Sequence, residues 1–236
     1  MTADALLDLQ ALDVETRQLN HRRAALEQRA KLDDALAEQA RRQGEIDTVA
    51  AARLEVSNRQ KKAEAEAQMV SDKADVDESK LYGGEVTGLK DLEALQHEIA
   101  MLRERQGSFE DVALEAMMEA EELQERVAAL ERARTSIDEV ITGLRGEIAE
   151  AEAEIDAQLA DVAAKRVEVA AAVAPELVAE YERREPAFGA STVVRFDGSN
   201  CTGCPSSMPA MEVDRIKHLD GDVPVDCQEC GRIVLR

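Results

Sequence analysis

Large side chains for a globular core are nearly missing. The 236 residues include no Trp, three Phe and two Tyr. Aromatics supply much of the buried area of ordinary domains, so a chain with 2% of them excludes a broad globular core. Positive charge is also short, with 29 Lys and Arg against 50 Asp and Glu and a net charge of -21. That excludes a general phosphate-binding surface and attachment to anionic lipid, which both rest on Lys and Arg. No apolar run is long enough for a membrane span; the longest uncharged one in the C-terminal half is residues 169–175. Residues 1–10 are acidic and lack the basic start of a secretory leader, so a cytoplasmic protein is expected. Catalytic patterns are missing too. Gly83, Gly84 and Gly88 are not followed by the Gly-Lys-Ser/Thr of a phosphate loop, and pairs such as Glu121 and Glu122 sit on helices acidic throughout. The chain is therefore read as a non-enzyme. Cysteine is absent from the first 200 residues.

What remains is Ala, Leu, Glu and Arg, the composition of long helices and coiled coils. Residues 4–80 contain no Pro and one Gly. Apolar residues recur there at Leu9, Leu12, Leu19 and Leu26, then at Ile46, Val49, Val56, Ala63 and Val70. The two registers differ, which predicts a stutter or bend near Leu32 to Ile46. Three Gly among residues 83–88 interrupt the helix. A heptad then runs from Leu92 to Ala172 by alternating steps of three and four. Of its 24 positions only Gln106, Arg134, Gln158 and Lys165 are not apolar. Gly107, Gly143 and Gly146 fall outside this seam and weaken the helix locally. Pro175 ends or kinks the segment, and Pro186 and Gly189 mark a linker.

Two helical segments of similar length joined by a short Gly-rich turn favour an antiparallel hairpin over a parallel dimer. The expected organisation is a coiled-coil hairpin over residues 1–182, turning near 81–88, and a small C-terminal domain over 191–236. Residues 81–190 carry 26 acidic and 11 basic groups, so most of the acidity belongs to the second helix. It keeps a rod solvated or, alternatively, docks a basic partner.

The cysteines form two C-x-x-C pairs, Cys201/Cys204 and Cys227/Cys230, with 22 residues between them. This is the spacing of a four-cysteine zinc site. Gly231 can take positive φ directly after the second pair. Residues 192–196 and 232–235 read as short strands around the pairs, which makes a β zinc ribbon. A 46-residue domain has little apolar core, so one structural zinc ion acts as its staple. The rival chemistries are a redox dithiol, which uses one pair beside a βαβ unit, and an iron–sulfur cluster. Four thiolates close the coordination sphere against catalysis. His218, His21 and His97 read as surface residues.

Three stretches carry a resemblance. One is residues 80–84 with 89–92 and 95–99, including Leu81-Tyr82-Gly83-Gly84 and Leu95-Gln96-His97-Glu98. The second is Glu110-Asp111 with residues 114–119, and the third is the ribbon ending Cys227-Gln-Glu-Cys230-Gly-Arg-Ile-Val-Leu. In these the chain resembles a bacterial family of C4-type zinc-ribbon proteins with a long N-terminal coiled coil. Where that family often has Asn-Pro, this chain has Gly88-Leu89, so Thr87 or Gly88 must start the second helix. The resemblance implies a helical hairpin, a zinc ribbon and no catalytic activity. It implies adaptors or chaperone-like regulators of transcription, motility or secretion, linked to the sigma factor sigma-54 and to RNA.

The expected function is a zinc-binding regulatory adaptor that contacts a protein partner, as monomer or dimer. The candidates for that contact are Tyr82, Gly83 and Gly84 at the turn and Arg215, Lys217 and Arg232 on the ribbon. The alternative is RNA or DNA binding through the ribbon, where Arg215 and Lys217 fall on a short helix expected over residues 211–219.

Overall fold

The computed structural model describes residues 4–204, 207–219 and 223–236. In chain order they form α1 (Asp4–Ala24), α2 (Glu27–Tyr82), α3 (Leu89–Ala171), α4 (Pro175–Phe188), a 3₁₀ turn (Gly189–Ser191), β1 (Val193–Arg195), α5 (Ala210–Lys217), β2 (Val225–Asp226) and β3 (Ile233–Leu235). The long helices make a hairpin and the short strands one small C-terminal sheet. Contacts divide the chain into two compact units, Lys31–Gly143 and Met1–Ala30 with Leu144–Arg236.

In the unit Lys31–Gly143, α2 and α3 run antiparallel. Partners rise along one helix as they fall along the other: Gln39 with Asp138, Arg59 with Glu119, and Lys73 with Glu98 at 2.7 Å. The buried seam is Ile46, Val49, Val56, Ala63, Ala67 and Ala74 against Ala113, Ala116, Val127 and Ile141. Alanine brings the helices close but buries little area, so the charged pairs set the register more than they add stability. The turn needs its glycines. Gly84 has φ 76°, and a Cβ on Gly83 would lie 2.7 Å from the Ser79 carbonyl oxygen. The Gly88 carbonyl accepts the Leu92 N–H at 3.0 Å, so Gly88, of the two candidates, starts α3.

In the other unit, α1, the end of α3 and α4 pack around the sheet. Its order is β1-β3-β2, with β1 parallel to β3 and β2 antiparallel to it. Val193 pairs with Ile233, Val194 with Val234, and Val225 with Val234. One core joins Leu6, Leu9, Val173 and Tyr181 to Val193, Ile233 and Leu235. A second gathers Val194, Met208, Ile216 and Val234 around Cys201 and Cys227.

The structure corrects two expectations about the helices. The slip expected near Leu32 to Ile46 falls earlier, at Ala25 and Leu26, where α1 gives way to α2. From Leu32 to Leu81 the three–four spacing continues through Gln39, Arg42, Gln60 and Asp77, half-buried or buried polar members that hide it, and through Arg53, which is exposed. Lys165 and Ala172, placed in the seam, are exposed, because beyond Val162 the buried stripe passes to Val169, Ala170 and Val173. Pro175 opens α4 at its first turn, where a missing N–H costs nothing. Pro186 lies inside α4, which ends on Gly189 at φ 56°.

Candidate metal centre

The four cysteines converge. Their sulfurs lie within 4.8 Å of one another, with Cys201 Sγ 3.9 Å from Cys230 Sγ and Cys204 Sγ 3.9 Å from Cys227 Sγ. A tetrahedral ion bound at about 2.3 Å holds its sulfurs roughly 3.8 Å apart. A disulfide would need about 2 Å. The donor set and its spacing therefore fit a four-coordinate metal ion. Among the described residues only cysteines enter the cluster; His218, on the far end of α5, has Nδ1 2.8 Å from the Asp214 carbonyl oxygen.

Each pair is folded as a knuckle by its own backbone. The Gly231 N–H bonds the Cys227 carbonyl at 2.8 Å, Cys227 N–H bonds the Arg232 carbonyl at 2.9 Å, and Gly231 takes φ 72°. In the first knuckle, a Cβ on Gly203 would lie 2.6 Å from Arg232 Cδ and 2.9 Å from Val194 Cγ1. The second knuckle thus packs its Arg232 directly onto the first. That guanidinium also covers the Phe188 ring at 4.8 Å and donates to Ser191 Oγ at 3.3 Å.

Crowding sets the thiols apart in acidity. Burial pushes Cys201 up to about 12 against the opposing Gly203 N–H, and burial likewise raises Cys204. Burial works against ionisation of Cys230 too, but the backbone and side chain of Arg232 outweigh it and bring that thiol down to about 7. A cation in the cluster favours the thiolate at every position.

Residues far away in sequence hold the module, and no periodic or motif signal marks them. Gln10, buried on α1, bonds both polar groups of Val193: its Nε2 donates to the carbonyl at 3.0 Å and its Oε1 accepts the N–H at 2.7 Å. It serves as a neighbour strand for the outer edge of β1. Arg184 of α4 forks onto Asp226 at 2.8 and 2.9 Å and reaches the Gly231 carbonyl at 2.9 Å. The fully buried Tyr181 donates to Asp13 at 2.9 Å, and Arg166 donates to the same carboxylate at 2.6 Å.

The partner-contact candidates are scattered. Tyr82 ends α2 and is 85% exposed, with Gly83 and Gly84 in the turn beside it. On α5, Arg215 is drawn to its own neighbour Glu212 at 3.0 and 2.5 Å, and Lys217 closes the helix. Arg232 is spent on Phe188 and Ser191 rather than grouped with them.

A helical hairpin bearing a small four-cysteine β module is the class these parts define. Residues 9–189 match the CT398-like coiled coil hairpin domain, and the chain belongs to that family. Two Mycobacterium tuberculosis proteins of uncharacterized function, Rv2229c of strain H37Rv and MT2288 of strain CDC 1551, are each 33% identical over 98% of this chain and 94% of their own length. A solved structure from Mycobacterium smegmatis is similar at 26% identity, with a TM-score of 0.85 over 100% of both chains. CT398 from Chlamydia trachomatis shares the fold at 19% identity, with a TM-score of 0.70 over 99% of this chain and 96% of its own. Among the described residues no helix is long and apolar enough to cross a membrane.

Proposed function

We propose that this protein is a non-enzymatic regulatory adaptor of the cytoplasm, stapled by one structural zinc ion on Cys201, Cys204, Cys227 and Cys230, that captures a protein partner with its hairpin tip. The tip carries this reading. Tyr82 is 85% and Leu89 74% exposed on the two sides of the turn, and a large aromatic set in water beside a second large apolar residue gains most by being covered. Zinc fits the four thiolates and the sulfur spacing, and four protein ligands leave no open position, so the ion organises the fold. The nucleic-acid alternative would use Arg215, Lys217 and Arg232, of which Arg215 pairs with Glu212 and Arg232 covers Phe188.

The test compares proteins captured from the native cytosol by the wild type and by Tyr82→Ser/Leu89→Ser, with helical circular dichroism as the folding control. A specific protein retained by the wild type and lost from the folded variant is expected. Identical captured sets would end the reading. A saturating titration of labelled RNA or DNA at physiological salt, abolished by Lys217→Ala, would move the function to the ribbon.

A further inference from the structure

A second surface lies on the hairpin, away from the turn. Residues 110–125 hold seven Asp and Glu and no Lys or Arg. Within this run Leu114 is 53% and Met118 57% exposed, and Met117 is exposed beside them. Positions three and four apart share a helix face, so these three form one apolar island on α3. The same spacing places Asp111, Glu121 and Glu125 around it. Among the described residues none of those three forms an ion pair, and Arg53 of α2 is the one cation that lines a groove with Glu121 and Glu125. The island continues into a groove between the helices of about 420 Å³, where Arg53, Ser57 and Gln60 of α2 face Met117, Ala120 and Glu121 of α3. Small residues open that groove: Ser57, beside the seam, and Ala120, in it, leave space where leucines would fill it.

We infer that this face of α3 receives a cationic amphipathic helix of a partner protein, its apolar stripe on Leu114, Met117 and Met118 and its Lys or Arg residues against the surrounding carboxylates. A helix suits a groove that runs between two helices, and unbranched methionines adapt to the side chains it presents. The cationic character follows from charge. With -21 on each chain, a second copy would bring like charge to an already acidic face, whereas a basic helix finds complementary carboxylates around an apolar centre. The inference deepens the adaptor reading, but it uses a surface separate from Tyr82 and Leu89.

The test titrates the full-length, metal-loaded protein into a fluorescein-labelled 18-residue peptide built only of Leu and Lys at helical amphipathic spacing. A scrambled peptide of the same composition and an analogue with Glu for Lys are run beside it. Saturable binding that induces peptide helix is expected, weakened about tenfold by Leu114→Ser/Met118→Ser and unchanged by Glu139→Gln/Glu147→Gln. Tyr82→Ser/Leu89→Ser should bind the peptide as the wild type does, so the tip and this face fail separately. Equal affinity for the scrambled peptide, binding indifferent to Leu114→Ser/Met118→Ser, or no binding would overturn the inference. So would concentration-dependent dimerisation abolished by that same pair, which would give the face to a second copy.

Discussion

Gln10→Ala should loosen the metal module from a position 183 residues away. The wild-type side chain satisfies both polar groups of Val193, a residue only 2% exposed, on the side of β1 that β3 does not pair. Alanine leaves that N–H and carbonyl without protein partners. Each buried group left unmade costs about 1–3 kcal/mol, so the pair costs about 2–5 kcal/mol after water reaches part of the gap. The loss falls on the unit that contains β1 and the cysteines, not on Lys31–Gly143. The assay is release of metal to a chromogenic chelator as urea is raised, with helical circular dichroism followed in parallel. The release midpoint should fall strongly while most of the helical signal keeps its own midpoint. Gln10→Glu should also weaken the module, because a carboxylate accepts from Val193 N–H but repels the carbonyl. A release midpoint that does not move in Gln10→Ala would refute the idea that α1 acts as the missing neighbour of β1.

Other perturbations test separate steps. Cys201→Ser or Cys230→Ser should abolish metal binding and unfold the small module with little loss of helical dichroism, since metal binding supplies its folding energy; broad loss of helix would contradict this. Gly203→Ala should weaken metal retention by about 1–3 kcal/mol, because its Cβ meets Arg232 and Val194 within the packed knuckles; unchanged retention would show that they move apart freely. Burial first, and the Asp13 carboxylate second, push the Tyr181 phenol above its ordinary value. The folded state thus favours the neutral phenol, a stabilisation present below about pH 10 and lost as pH rises through the raised value. In Tyr82→Phe, which keeps Tyr181 as the sole tyrosine, tyrosinate absorbance should appear only well above pH 10. A step near pH 10 with the fold intact would contradict that burial.

Much of the hairpin could be read from spacing because a seam repeats. From Leu92 to Val162 each expected seam position is buried or half-buried, even Gln106, Arg134 and Gln158. Apolar spacing alone puts the break at Ala25 and Leu26 too late, because the next seam members include Gln39 and Arg42, which join the stripe through their stems. The cysteine cluster was legible from two short intervals, since each knuckle is a local structure with its own turn. What supports it was not. Gln10 with Val193 and Asp13 with Tyr181 meet across more than 160 residues, and neither pair has a period or motif. The partner candidates Arg215, Lys217 and Arg232 can be picked out of the sequence only as charges. In three dimensions Glu212 and Phe188 hold the two arginines in different environments.

In the proposed function four thiolates close around one zinc ion. Metal analysis and X-ray absorption at the zinc edge on protein purified without added metal test it together. One zinc per chain, four sulfur neighbours at about 2.3 Å and no nitrogen or oxygen neighbour are expected. Zinc well below one per chain, iron in its place, or a mixed shell that survives Cys201→Ser would contradict it.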